Sequence, residues 1–241
     1  MRLLALAAVL LAAPALAQDA AVLAPGHPDL ATDAVTVRDV TLDVRIVQPS
    51  VQALGTITET VTAHDDGTIT VRRAIDLSMP GGGGQTQRDT TRFAWPSLAP
   101  VAYASTDLNN GDREEVAFDG LRMTGAFGDD GATPLAFDLT AESPVFGPGS
   151  IGILARAVPL REGYTATAPT FSGEHRFRDA AIAVVGREDA PRPDGSTVSA
   201  FVVESTVDGR TQRYFVDPET RDLLKMTVAP APGYLIEATP R

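Results

Sequence analysis

Cysteine is absent from the 241-residue chain. That excludes disulfides, thiol catalysis and thiolate metal sites, so burial alone must hold the fold together. Lysine is almost absent: Lys225 is the one lysine among 20 basic residues, set against 31 acidic ones. The resulting net charge of −11 argues against nucleic acid, because neutralising phosphates requires a basic surface. It argues equally against electrostatic docking on anionic lipid. Histidine occurs three times, at His27, His64 and His175. None stands in an H-E-x-x-H or other close His/carboxylate spacing, so no metal site is expected. Aromatics make up 6% of the chain, and an interior built largely from Ala and Val favours a filled core over a wide lipid cavity.

Long apolar runs are missing too, apart from one at the start, "MRLLALAAVLLAAPALAQDA". Arg2 is a short basic flank, residues 3–13 are apolar, and Ala15-Leu16-Ala17 is a small-x-small site. That is the layout of a secretory signal peptide over residues 1–17, cleaved after Ala17. The run is shorter than the ~20 residues a membrane-spanning helix needs. The expectation is an exported protein, periplasmic or secreted, with no lipidated cysteine and no transmembrane segment in the mature chain.

Residues 18–33, "QDAAVLAPGHPDLATD", read as an extended N-terminal segment, and residues 34–241 as a single β-rich domain. "AVTVRDVTLDVRIV" (34–47) alternates, with a phase slip at Arg38-Asp39 that predicts a bulge. A hairpin follows around Asp66-Gly67: Thr56, Thr58, Thr60 and Thr62 share a face of its first arm, and Ile69, Val71, Ile75, Leu77 and Met79 share one of its second. Asn110-Gly111, Asp119-Gly120, Asp130-Gly131 and Asp194-Gly195 supply further tight turns. No repeat of 20–50 residues is present, which argues against a propeller or solenoid. One stretch, "PGSIGILARAVPLREG" (148–163), spaces Ile151, Leu154, Ala155 and Val158 as one helix face, with Ser150 as cap and Pro159 as stop. A buried strand is the alternative there.

Motifs for chemistry are incomplete. "GPGSIG" (147–152) places Pro148 where a nucleophile elbow needs glycine, so Ser150 reads as a helix cap. "PGGGGQTQRD" (80–89) lacks the Gly-Lys-Ser/Thr ending of a phosphate loop and reads as a hairpin loop. "DLNNGDREE" (107–115) misplaces the glycine and glutamate of an EF-hand; a solvated hairpin loop or an irregular calcium clip remains. The pairs Asp65-Asp66, Glu114-Glu115 and Asp129-Asp130 could each supply a general acid, but they sit beside turns, where carboxylates usually face solvent, and no perturbed pKa is expected. No catalytic, cofactor-binding or metal-binding residue is assigned, the ligand-binding residues are unknown, and no cofactor is expected.

"VVESTVDGRTQRYFVDPETRDLLKMTV" (202–228) reads as three strands with turns at Asp208-Gly209 and Asp217-Pro218. Tyr214 and Val216 share one strand face and Arg213, Phe215 and Asp217 the other; Leu224 and Met226 oppose Lys225. Arg213 and Arg221 are expected in solvated pairs near Glu219, and Asp217 as acceptor for the backbone of its own turn.

The order "ILARAVPLREGY", "AIAVVGREDAPRPDGSTVSAFVVES" and "RYFVDPETRDLLKM" resembles the bacterial exported domain of unknown function 3108. It is also similar, more loosely, to the half-barrels of lipoprotein carriers. The resemblance covers residues 153–237, and more loosely the strands before them, and implies an all-β, mainly antiparallel fold: a strongly curved sheet or half-barrel meander with one short central helix. It carries no established catalytic residue. Such a sheet must cover its apolar face, with the helix over residues 150–157, with a hydrophobic ligand, or with both. The functional expectation is a non-catalytic exported envelope protein, a binding or accessory module for an apolar small molecule, a lipid or an envelope protein. The alternatives are a structural or interaction domain with a filled core, and a hydrolase without a recognisable motif.

Overall fold

A computed structural model describes residues 20–129, 131–172 and 176–241. The expected signal peptide with Ala17, the Asp130 half of one turn and His175 lie outside the described residues. Fifteen strands form one sheet among the described residues. The first half contains β1 (Ala21–Val22), β2 (Val40–Gln48), β3 (Gln52–Ala63), β4 (Thr68–Ser78), β5 (Gly84–Ala94), β6 (Ala99–Asp107), β7 (Arg113–Asp119), β8 (Arg122–Gly128) and β9 (Leu135–Thr140). Helix α1 (Ile151–Ala157) follows, then β10 (Thr165–Ser172), β11 (Arg176–Pro191), β12 (Thr197–Val207), β13 (Arg210–Val216), β14 (Leu223–Val228) and β15 (Leu235–Pro240).

The chain forms two antiparallel meanders, β2 to β9 and β10 to β15. They join where β15 pairs with β2, Ala238 opposite Val44. The two-residue β1 adds to β10 in parallel, and every other pairing between these strands is antiparallel. The sheet curves without closing, with β1 and β9 as its edges. Its two ends approach through aromatic contacts. Phe146 bridges to Thr170 on β10, and the Phe171 ring meets Phe118 edge-on at 5.7 Å and stacks with Phe137 at 6.4 Å. The fold is thus all-β with one central helix, as the period-2 patterns and Asp-Gly turns predict.

The N-terminal region departs from the sequence expectation. Residues 34–39 do not extend β2. A 3-10 turn spans Thr32–Ala34, and Val35 enters the core. The phase slip at Arg38-Asp39 is therefore an approach to the sheet, ended where Asp39 accepts the Val61 amide at 2.9 Å. The bulge lies instead at Leu54 on β3, where Val44 pairs with Gly55 and Arg45 with Ala53. The extended lead-in also joins the core: Leu23 is fully buried and donates its amide to the Thr167 carbonyl at 2.7 Å.

Helix α1 packs Ile153, Leu154, Ala155 and Ala157 against the concave face, together with Ile69, Val71, Phe93, Val203, Tyr214 and Val216. Ser150 does not cap it by side chain; its hydroxyl donates to the Gly147 carbonyl at 2.8 Å. The helix C-terminus is closed by other partners. Ala31 donates its amide to the Ala157 carbonyl at 2.8 Å, and Arg221 donates to the carbonyls of Arg156 at 2.6 Å and Val158 at 3.0 Å. Arg156 returns the contact, donating to the Arg221 carbonyl at 2.7 Å. This reciprocal clasp satisfies orphan carbonyls of the last helical turn. It also corrects the expectation that Arg221 is a solvated partner of Glu219. Arg213 pairs with Glu188 and Glu204, while Glu219 pairs with Arg192.

The 202–228 meander buries both of its faces. Tyr214 and Val216 face the helix, and Phe215 packs on the other side with Ala190, Ala200, Val202 and Leu224. A register shift between Phe215 and Val216 places Val216 opposite Leu223 and Phe215 opposite Lys225. Leu224 therefore joins the Phe215 face while Leu223 and Met226 face inward. The simple alternation that grouped Leu224 with Met226 fails at this bulge.

Candidate functional site

The concave face is not filled uniformly. One apolar cluster gathers around α1, and a second around Leu42, Val44, Ile46, Leu54 and Ala238; Leu223 and Met226 touch both. Between them a cleft of about 350 Å3 remains. Val40, Leu42, Ile57, Ile75, Leu223 and Met226 form its apolar wall, and Ile151 and Gly152 of α1 the opposite one. The helix leaves room there at Gly152, which has no side chain. A β-carbon on Gly152 would stand 3.9 Å from the Tyr214 ring, in ordinary contact, so a larger side chain would project into the space.

A polar row runs across the concave face and reaches the cleft with Glu59 and Arg73. Cross-strand register sets Glu59 opposite Arg73, Arg73 opposite Asp89, Asp89 opposite Ser105 and Ser105 opposite Glu114. All five share the concave face because neighbours in register share a side of the sheet. Arg73 donates to the Glu59 carboxylate at 3.0 Å. Asp89 accepts from Gln87 at 2.8 Å and Ser105 at 2.7 Å. Burial pushes the Tyr214 hydroxyl up to about 12; the neutral phenol donates to Gln212 at 2.5 Å. Burial works against the Arg73 charge, but Glu59 and Asp89 outweigh it and keep the guanidinium protonated. A second, smaller cavity of about 70 Å3 also touches Arg73 and Gly149 and is lined in addition by Val71, Asp89, Thr91, Tyr103 and Pro148.

At the far end of the row, burial first and the Asp89 charge second push the Glu114 carboxyl up to about 7. Folding thus favours its protonated form. The associated stabilisation is complete below the unfolded value of ~4.3 and lost as pH rises through the folded value. Glu114→Gln keeps the shape without the charge. It is expected to match the parent at pH 4 and to exceed it by about 1–3 kcal/mol at pH 8. Urea denaturation at the two pH values checks this.

Of these residues the sequence pointed only to Glu114, within a carboxylate pair expected to face solvent with an ordinary pKa; the fold buries it instead and raises its pKa. Arg73 lies in phase with Ile69, Val71, Ile75 and Leu77, and Glu59 in phase with Ile57 and Val61. A charge of each sign at inward positions of adjacent strands was the available signal. The motifs that were considered lie elsewhere. His27 accepts the Asp29 amide in the N-terminal segment, and His64 contacts Thr70 beside the β3–β4 turn. Among the described residues no three His, Asp or Glu side chains are grouped to hold a metal. In the 107–112 loop, Asn109 is stitched to β5, accepting the Thr86 amide at 2.9 Å and donating to the Gly84 carbonyl at 2.8 Å. Residues 80–83 form the β4–β5 turn, closed by the Met79 amide on the Gly83 carbonyl at 3.1 Å.

The family model described as "Protein of unknown function (DUF3108)" matches residues 39–237. The β-barrel-like protein of domain of unknown function DUF1849 from Brucella abortus, a crystal structure, superposes with a TM-score of 0.53. The two are 10% identical, over 86% of this chain and 98% of that one, a likeness of fold. No curated protein matches the sequence. Among the described residues no helix is long and apolar enough to cross a membrane.

Proposed function

The chain belongs to the DUF3108 family of proteins of unknown function, and from that premise we propose that it is a non-catalytic, exported binding module of the cell envelope. Its ligand is a small apolar molecule held between α1 and the concave sheet face. The observation that carries this reading is the cleft itself. It is apolar-walled, has a few convergent polar groups, and its volume of about 350 Å3 lies within the ~300–1,000 Å3 common for ligand sites. Export rests on the apolar N-terminal run and Ala15-Leu16-Ala17.

Gly152→Leu separates this reading from that of a filled structural core. Leucine replaces a helical glycine, so the fold should keep its stability or gain up to ~1 kcal/mol. The side chain would occupy the cleft. An environment-sensitive aliphatic fluorophore is expected to bind the parent and to lose at least ten-fold in affinity for the variant. Equal binding to both, with unchanged melting temperatures, would reject the cleft as the site.

A further inference from the structure

We infer that three uncharged hairpin tips at one end of the sheet form a docking rim for the surface of a net-neutral phospholipid bilayer, with Val51, Met79 and Tyr234 entering its interface. This goes beyond the cleft reading and does not depend on it.

The topology sets these tips side by side. In the strand order β14-β15-β2-β3-β4-β5, the β14–β15, β2–β3 and β4–β5 hairpins all turn at the same end. They run beyond the pairs Val228–Ile236, Ile46–Gln52 and Ser78–Gly84. Each tip carries one large exposed apolar side chain: Tyr234 is 49% exposed, Val51 74% and Met79 43%. The chain is 21% charged, yet residues 226–236, 46–58 and 77–87 contain no charged side chain. Charges return on the flanking turns of that end, with Asp208 and Arg210 at β12–β13 and Asp107 and Asp112 at β6–β7. An exposed apolar patch bordered by polar residues marks an interaction site.

The chemistry of the tips suits lipid. Pro49, Pro80, Pro230 and Pro232 have no N–H to leave unsatisfied in an apolar layer. Other amides are satisfied within their own turns: Met79 donates to the Gly83 carbonyl at 3.1 Å, and Tyr234 to the Ala231 carbonyl at 3.1 Å. Tyrosine fits the headgroup level, where its ring is buried and its hydroxyl stays wet. Charge selects the bilayer. The net charge of −11 repels an anionic surface, and the tips hold no Lys or Arg to attract anionic headgroups. A net-neutral headgroup layer meets the rim without any protein charge to desolvate. A stable protein partner needs about 800 Å2 of complementary surface on each side; these tips instead offer three separate side chains divided by glycine, proline and other small residues. Behind the tips, Ile46, Leu54, Leu77 and Ile236 belong to one apolar cluster with Leu42 and Ile57 of the cleft wall.

Flotation of the protein, purified from its own envelope, with phosphatidylcholine vesicles tests this. The parent is expected to float with them, and to float less with vesicles of equal parts phosphatidylcholine and phosphatidylglycerol. Val51→Asp, Met79→Asp and Tyr234→Asp combined in one variant should lower the partition at least ten-fold. Val185→Asp adds the same charge at an exposed position on β11, outside the rim, and should lower it less than three-fold. A folded parent that stays with the soluble fraction overturns the inference and leaves the rim to a protein partner. Stronger binding to the anionic vesicles, equal binding by the triple variant, or an equal loss in Val185→Asp overturns it as well. Without vesicles, the triple variant should bind the aliphatic fluorophore as the parent does, so failure of the rim and failure of the cleft are read apart. Should the triple variant not fold, each single variant carries the same test, with an expected loss of at least three-fold.

Discussion

Phe215→Ala is expected to be the most destabilising single truncation on the outer side of the 202–228 meander. Phe215 is 1% exposed and packs on Ala190, Ala200, Val202 and Leu224, away from the helix. The Lys225 ammonium lies 3.8 Å from the centre of its ring and the Arg213 guanidinium 5.5 Å. The only lysine of the chain thus roofs an aromatic, with its charge on the ring face. Truncating a buried phenylalanine costs about 3–5 kcal/mol. At ~2–4 °C per kcal/mol for a chain of this size, the melting temperature should fall by roughly 6–20 °C. Because Phe215 faces away from the cleft, binding of the aliphatic probe at low temperature should persist. A thermal melt shifted by less than about 2 °C would show that this face is not a core.

Asp217→Ala is expected to cost about 2–4 kcal/mol, because it removes a buried charge with several donors aimed at it. Asp217 is 1% exposed. It accepts from the Glu219 amide at 2.8 Å, the Thr220 amide at 3.2 Å and Arg192 at 2.7 Å. The turn it organises holds Arg221 at φ 57°, and Arg221 in turn closes the end of α1. Burial disfavours the Asp217 carboxylate, but Arg192 and the two amides outweigh it and hold its carboxyl below the usual range. A depressed folded value means that the stabilisation is present above the unfolded value of ~3.9 and lost as pH falls through the folded one. The parent should therefore lose this advantage over the variant below about pH 4. Denaturant melts at pH 7 and pH 3 measure both effects. An alanine variant as stable as the parent at pH 7 would contradict the structural role of this turn.

Local features of the fold were legible in the sequence. Spacing alone located α1, since Ile151, Leu154, Ala155 and Val158 form one stripe ended by Pro159. Asp66-Gly67 and Asp208-Gly209 marked real hairpins because their positive-φ positions suit glycine, or aspartate at Asp208. The acceptor role of Asp217 within its own turn was equally local. What escaped depends on distant contacts. The Leu224 bulge exchanges the faces of Leu223 and Leu224, and only pairing with β13 reveals it. Arg221 reads as a surface charge until the fold brings the helix end to it, 63 residues away in sequence. The polar row across the concave face was hidden differently. Each member sits in correct phase on its own strand, but the row exists only once five strands are in register.

The central claim is that the space between α1 and β2–β4 holds a ligand in the cell. Native mass spectrometry of the protein isolated from its own envelope, alongside Gly152→Leu prepared identically, tests it most directly. The account predicts a bound species with the mass of one small apolar molecule on the parent, released by organic solvent and absent from the variant. The bare protein mass in both samples, or the same adduct on both, would contradict it.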